Sequence, residues 1–190
     1  MTLETHPLKP FLPANAKELM LGSFPPPKKR WCIDFYYPNF NNDMWRIFGL
    51  VFFSDKNHFV DTAAKKFRQD TIIDFLNEKG IAIYDTATRV IREKDNASDK
   101  FLTIVEPTDL KNMLKKISFC QAIVTTGQKA TDTLCAYFSV TPPSVGESVN
   151  FSIDGKAMRF YRMPSSSRAY PLAIDKKATF YRDMFLNIFG

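Results

Sequence analysis

Aromatic rings, side-chain amides and cations are concentrated in residues 22–45, GSFPPPKKRWCIDFYYPNFNNDMW. A ring such as that of Tyr37 can stack on a nucleobase, and the Asn42 amide can both donate to and accept from a base edge. Gly22 lets the backbone approach a ligand closely, and the prolines that follow stiffen the turn. The stretch therefore has the chemistry needed to recognise a nucleobase.

Two further segments could contact an anion. Residues 163–170, MPSSSRAY, carry hydroxyl groups and a guanidinium that suit phosphate oxygens, although an ordinary serine-rich turn has the same composition. In residues 125–130, TTGQKA, a strand runs through a glycine turn into a helix, which directs backbone N–H groups and the helix dipole to one place. This turn is not a P-loop, because GxxxxGK[ST] is absent.

The rest of the composition limits the available chemistry. The 3 cysteines lack CxxC spacing and the 2 histidines are His6 and His58, which argues against a disulfide framework, a zinc or iron–sulfur site and most Ser-His or Cys-His nucleophiles. We therefore expect no metal and no cofactor, and chemistry that uses carboxylates, amides, hydroxyls and backbone dipoles. The formal charge of +6 and the pI near 9.2 favour an anionic partner such as nucleic acid.

The length of 190 residues, of which 45% are hydrophobic, predicts a single domain over residues 1–190. No apolar run approaches the roughly 20 residues needed to span a bilayer, and the first residues lack the pattern of a secretory signal. We therefore expect a cytoplasmic protein without membrane contact.

Predicted strands and helices alternate along the chain and must position these residues. Buried strands are predicted at residues 16–24, 81–88, 121–127 and 157–163, and the last is joined to residues 149–153 by a hairpin at Asp154-Gly155. Helices are predicted at residues 43–54, with Asp43 as the cap, and at 69–79, 108–117, 128–138 and 174–189. The alternation predicts an α/β fold, a three-layer α/β/α sandwich with a central mainly parallel four-stranded sheet. The polar residues 89–99 are expected to form a surface loop.

Ligands of such sheets bind beyond the carboxyl ends of the strands. Those ends carry the sequences GSFPPP, YDTAT, TTGQK and MPSSSR. We therefore expect these four polar loops to converge at one edge of the sheet and to form a functional site there.

Several motifs, in order, resemble the uracil-DNA glycosylase superfamily, and most closely its hypoxanthine-DNA-glycosylase branch. The matching segments are GSFP at 22–25, YYPNFNNDMW at 36–45, YD at 84–85, TTGQKA at 125–130 and MPSSSRA at 163–169. Each motif alone is weak, but their order covers nearly the whole chain. The resemblance implies a monomeric α/β/α enzyme that binds DNA containing a damaged base, flips that base out and hydrolyses its N-glycosidic bond without a metal.

The resemblance also assigns roles to residues. Gly22, Ser23, Phe24 and Pro25 would form the first motif and contact the base, and Tyr37 would stack on it.

Asn42 lies at the position expected to bind the base or to position water, and Ser23 and Asp85 join it as candidate catalytic residues. The resemblance further implies that the DNA backbone is bound by Thr126, Gly127, Lys129, Pro164, Ser165, Ser166, Ser167 and Arg168.

The chain departs from the superfamily in its first motif, because other branches place an Asp or Asn there to position water and GSFPPP has neither. Asp34, Asp43 and Asp85 could supply the missing carboxylate, or could serve as a loop stabiliser, a helix cap and a strand-end acceptor. The leading hypothesis is a glycosylase that acts on uracil or hypoxanthine. The alternatives are a nucleobase- or nucleic-acid-binding protein of the same fold without strong catalysis, and an enzyme that acts on a small nucleoside or nucleotide.

Overall fold

The computed structural model describes residues 2–93 and 98–190. The strands are β1 (Thr2–Thr5), β2 (Glu18–Gly22), β3 (Val60–Asp61), β4 (Lys66–Phe67), β5 (Ile81–Asp85), β6 (Ala87–Arg92), β7 (Leu102–Pro107), β8 (Ala122–Thr126), β9 (Ser148–Ile153) and β10 (Lys156–Met163). The helices are α1 (Met44–Phe53), α2 (Gln69–Lys79), α3 (Leu110–Lys115), α4 (Gln128–Phe138) and α5 (Ile174–Phe189). Single turns of 3-10 helix lie at Lys28–Arg30 and Asp99–Phe101.

The central sheet has the strand order β5-β2-β8-β10-β9. β2 is parallel to β5 and to β8, and β10 is parallel to β8, which confirms the predicted mainly parallel sheet flanked by helices. The sheet has 5 strands and not the predicted four, because β9 pairs antiparallel with β10 and extends the edge. In the turn that joins β9 to β10, Asp154 and Gly155 both have positive φ, at 50° and 84°, as a tight two-residue hairpin requires.

The interior strands of this sheet read as apolar runs because both faces are covered. β2, β5 and β8 are buried at every position, which is typical of parallel strands between helical layers. Helices α1 and α5 pack together through aromatic rings: the centroids of Phe48 and Phe185 lie 5.3 Å apart in an edge-to-face arrangement. Among residues 2–93 and 98–190, no helix is long and apolar enough to cross a membrane.

A second sheet, with the order β1-β6-β7, is antiparallel throughout. The prediction of a surface loop at residues 89–99 is wrong for residues 89–92, which belong to β6, and residues 94–97 lie outside the described residues. Polarity is misleading here because Arg92 is buried: it donates to Glu4 Oε1 at 2.7 Å and Oε2 at 3.1 Å, and to the Pro25 carbonyl at 2.7 Å. This ion pair holds the N-terminal strand against the loop that follows β2.

Candidate active site

A cleft of about 560 Å³ lies at the carboxyl edge of the central sheet. Along the chain, β2 is followed by β5 and then by β8, and in the sheet these two strands lie on opposite sides of β2. The strand order therefore reverses between β2 and β8, and open α/β sheets bind ligands at such a switch point. All the candidate base-binding and catalytic residues line this cleft: Gly22, Ser23, Phe24, Pro25, Tyr37, Asn42 and Asp85. Of the candidate backbone-binding residues, those that line it are Thr126, Ser165, Ser166 and Ser167.

Gly22 ends β2, where its missing side chain leaves room for two neighbours. A Cβ atom at this position would lie 2.5 Å from Asp85 Oδ1 and 3.6 Å from the Tyr37 hydroxyl oxygen. The absence of a side chain at Gly22 therefore lets the Asp85 carboxylate and the Tyr37 phenol approach the end of β2. A larger residue would have to displace the Asp85 carboxylate.

Asp85, at the end of β5, is paired with a residue that the sequence did not connect to it. His6 Nε2 lies 2.8 Å from Asp85 Oδ2, and the two side chains are 2% and 9% exposed. The His6 ring contacts the rings of Tyr84 and Phe24, with centroids 4.6 and 5.2 Å away, and its backbone N–H donates to the Thr88 carbonyl at 2.8 Å. Sequence reasoning dismissed the histidines because they are few. Only the pairing of β1 with β6 brings His6 next to Asp85.

Ser23 engages a second carboxylate. Its hydroxyl donates to Asp99 Oδ1 at 2.7 Å, and both residues line the cleft. Burial raises the pKa of Asp99, and the nearby Asp85 carboxylate raises it further, while the Ser23 hydrogen bond and the charges of Lys129 and Arg92 lower it. Asp99 lies in the segment that was expected to be a surface loop, and no sequence signal links it to Ser23.

Tyr37 lines the cleft in a restrained conformation. Its φ of 49° lies in the left-handed region, which costs a non-glycine residue about 1–2 kcal/mol. Its hydroxyl lies 3.0 Å from Thr126 Oγ1 at the end of β8, and burial raises its pKa. Trp45 packs edge-on against the ring, 5.9 Å between centroids, and its indole N–H donates to the Tyr36 carbonyl at 3.0 Å. The ring is therefore held in place before any ligand binds.

Asn42 lines the cleft and also caps α1. Its Oδ1 accepts the backbone N–H of Met44, the first residue of α1, at 2.9 Å; Asp43 is the N-cap residue, as predicted, but its side chain makes no capping hydrogen bond. Because Oδ1 is engaged, the NH₂ group is the part of the amide best able to contact a ligand. This geometry favours donation to a base oxygen over acceptance of a proton from water.

The Asp43 side chain instead fixes the late polar loop. Its Oδ1 lies 3.3 Å from Arg168 Nη2 and its Oδ2 lies 3.3 Å from Lys177 Nζ, while its backbone N–H donates to the Ser166 carbonyl at 2.9 Å. Lys177 is 0% exposed and also donates to the Ser167 carbonyl at 2.8 Å. These contacts clamp residues 166–168 to the start of α1.

The remaining sequence candidates lie outside the cleft lining. Gly127, with φ of 93°, precedes α4, which carries Lys129, and Pro164 accepts the Tyr181 hydroxyl at 2.8 Å through its carbonyl. Arg168 is half-exposed and paired with Asp43, and Asp34 is an exposed partner of Lys28. Arg30, one of the cations of the first loop, also lines the cleft, and so does Tyr170, which sequence reasoning did not single out. In the described parts of the chain, no cluster of three or more His, Cys, Asp or Glu side chains could hold a metal ion.

No protein-family model and no curated protein matches this chain. Among solved structures, the chain is similar to the solution NMR structure of a protein from Methanosarcina acetivorans that is proposed to be a uracil DNA glycosylase. The TM-score is 0.61 and the identity 19%, and the match covers 96% of this chain and 99% of that chain. At this identity the similarity establishes the fold. The chain thus has the overall architecture of that protein from end to end, a mostly parallel sheet flanked by helices.

Proposed function

We propose that the protein is a DNA glycosylase that hydrolyses the N-glycosidic bond of a deaminated base, uracil or hypoxanthine, after the base has been flipped out of DNA. The observation that carries the proposal is that every candidate base-binding and catalytic residue lines one cleft at the switch point of the sheet. A volume of about 560 Å³ suits a small ligand such as a single nucleotide. The order of the sequence motifs favours the hypoxanthine branch for this chain.

Several residues that line the cleft divide the recognition of the base between them. Tyr37 presents a ring that is already fixed by Trp45 and Thr126, so stacking costs little further ordering. The Asn42 NH₂ group donates to a base oxygen, and the backbone of residues 22–25 approaches the base at the end of β2. Phe24 and Pro25 provide apolar contact with the base.

Cleavage of the C1′–N bond develops positive charge on the sugar and negative charge on the departing base. Preorganised dipoles and charges that match this separation accelerate the step. The Asn42 amide and the N–H groups of the first motif stabilise the base as it leaves. Asp85, fixed by His6 and by the lack of a side chain at Gly22, stabilises the cationic sugar.

DNA binding draws on the net charge of +6 and on hydroxyl groups at the rim of the cleft. Ser165, Ser166 and Ser167 line the cleft beside Thr126, and these residues contact the phosphates next to the flipped nucleotide. Arg30 adds an exposed cation to the same rim. Gly127, Lys129, Pro164 and Arg168 extend this surface outside the cleft, and residues 1–190 act as one monomeric domain.

The test is release of free base from oligonucleotides, single-stranded and duplex, that contain uracil, hypoxanthine, xanthine or a mismatch. Chromatography of the released base should detect product from the uracil or hypoxanthine substrates and none from an undamaged control. Salt-sensitive DNA binding without base release would instead identify a binding protein of the same fold. Turnover of free nucleosides with little DNA affinity would identify a nucleoside enzyme.

A further inference from the structure

We propose that Asp99, positioned by the Ser23 hydroxyl, is the carboxylate that activates the attacking water. The inference rests on the proposed glycosylase function and assigns a residue that the first motif lacks. GSFPPP contains neither Asp nor Asn, yet its serine holds a carboxylate from a distant segment in the same cleft. The first motif thus supplies Ser23, which positions the carboxylate, while the carboxylate itself comes from Asp99 in another segment.

The geometry of Asp99 leaves one oxygen for water. Ser23 Oγ donates to Oδ1 at 2.7 Å, and in the part of the chain that the structure describes no hydrogen bond engages Oδ2. A carboxylate held at one oxygen keeps its orientation, and its second oxygen can accept a proton. Ser23 itself is buried and directly follows Gly22, so the pair lies next to the position proposed for the base.

The other candidate groups are already engaged. Both oxygens of Asp43 face cations, from Arg168 and Lys177. Asp85 Oδ2 contacts His6, and its Oδ1 lies against Gly22.

The two remaining candidates are no better placed to take a proton from water. Asn42 Oδ1 caps α1 through the Met44 N–H. Asp34 is exposed and does not line the cleft. Asp99 is therefore the carboxylate whose surroundings suit proton transfer best.

The charges around Asp99 support the same role. Burial and Asp85 raise its pKa, while Ser23, Lys129 and Arg92 lower it, and Tyr37 is a further titratable group nearby. A carboxylate whose pKa lies above its usual range is a stronger base than an exposed one. The two carboxylates differ in their partners: Asp85 contacts the imidazole of His6, whereas Asp99 accepts a hydrogen bond from the hydroxyl of Ser23.

The hydrolysis balances as follows. The C1′–N bond breaks and its electron pair leaves with the base, while the water oxygen forms a bond to C1′ and a water proton passes to Asp99 Oδ2. The base anion then takes up a proton, and Asp99 returns to its ionised form by releasing its own. The products are the free base and an abasic sugar, and no oxidant, reductant or metal is consumed.

The experiment measures single-turnover base release as a function of pH on whichever oligonucleotide the wild-type protein cleaves best. The rate of the wild type should fall at low pH as Asp99 becomes protonated. Asp99→Asn keeps an oxygen that can accept the Ser23 hydroxyl but removes the base, so its rate should drop about 100-fold or more and lose the acidic limb. Asp154→Asn, which removes the same charge at the hairpin on the opposite edge of the sheet, should match the wild type.

Ser23→Ala provides a second, independent test of the proposed role of Asp99. Because the Ser23 hydroxyl lowers the pKa of Asp99, its removal should move the acidic limb to higher pH. If thermal unfolding shows that Asp99→Asn does not fold, the pH–rate profile of Ser23→Ala tests the inference alone. An acidic limb shifted to higher pH supports the inference, and an unshifted acidic limb overturns it.

The outcomes separate this inference from the proposed function. If the wild type releases base and Asp99→Asn retains its acidic limb, whether at full or reduced rate, the water-activating role is wrong and the glycosylase function stands. If the wild type releases no base from any oligonucleotide, the proposed function fails and this inference fails with it.

Discussion

Two carboxylates, Asp43 beside the cleft and Asp99 in its lining, are each held by other parts of the chain, but they are held differently. At the start of α1, Asp43 lies between Arg168 and the fully buried Lys177. On the wall formed by β2 and the segment before β7, Asp99 accepts a hydrogen bond from the neutral hydroxyl of Ser23. Ion pairs thus let Asp43 join two segments, whereas Asp99 is held by a neutral donor and burial raises its pKa. The same residue type thus fixes the late loop at one position and, as proposed, activates water at the other.

The largest effect is expected from breaking the clamp. Asp43→Ala leaves Lys177 buried without its carboxylate, so the free energy of unfolding should fall by about 3–5 kcal/mol. Urea unfolding measures this loss. The double variant Asp43→Ala/Lys177→Met is the control: removing both charges should restore part of the stability, and a double variant no more stable than the single one would contradict the buried-pair account.

Asn42→Ala should reduce turnover more than DNA binding. The substitution removes both the proposed donor to the base and the cap of α1, which is worth about 1 kcal/mol of stability. Asn42→Asp keeps an oxygen for the cap but loses the NH₂ group, so it should restore stability without restoring turnover. Recovery of turnover in Asn42→Asp would assign Asn42 a purely structural role. Single-turnover assays with parallel unfolding curves separate these outcomes.

Asp99→Asn should have a small, pH-dependent effect on stability. The folded protein raises the pKa of Asp99, so the neutral carboxyl is favoured in the folded state, and stability is lost as pH rises from the unfolded value of about 4 through the folded pKa. Relative to the wild type, Asp99→Asn should therefore gain stability progressively as the pH rises above about 4. A difference that is flat with pH, or that has the opposite sign, would contradict the raised pKa.

The smallest effect is expected at Arg168, which is half-exposed and already paired with Asp43. If it also meets a phosphate, Arg168→Gln should weaken binding to all DNA sequences alike and reduce the slope of log K against log salt by about one or less. Fluorescence anisotropy across a salt series measures this slope. An unchanged slope with lower stability would restrict Arg168 to the clamp.

The parallel core of the fold could be predicted from the sequence because its signals are local. β2, β5 and β8 are short apolar runs bounded by turns, and Gly80 and Asp154-Gly155 mark a helix end and a hairpin. The second sheet could not be predicted in this way. Arg92 is charged but buried, and its partner Glu4 is 88 residues away along the chain, so its polarity suggested a surface position.

The candidate site divides in the same way. Gly22, Tyr37 and Asn42 lie in one unusual segment, and the parallel sheet predicted where that segment would meet the other loops. The hydrogen bonds of each side chain could not be predicted: the Asn42 side chain accepts the first N–H of α1, and the side chain of the N-cap residue Asp43 instead clamps the late loop. Such choices depend on which partners the folded chain brings within hydrogen-bonding distance.

By itself, the sequence determined the layered architecture, the edge of the sheet that carries the cleft and most of the residues that line it. It could do so because strand burial and turn chemistry depend on neighbours a few positions apart. Only the tertiary structure joined His6 to Asp85 and Ser23 to Asp99, over separations of 79 and 76 residues. Hydrogen bonds and electrostatic interactions at that distance along the chain follow from the packing of β1, β6 and the segment before β7, which no local pattern encodes.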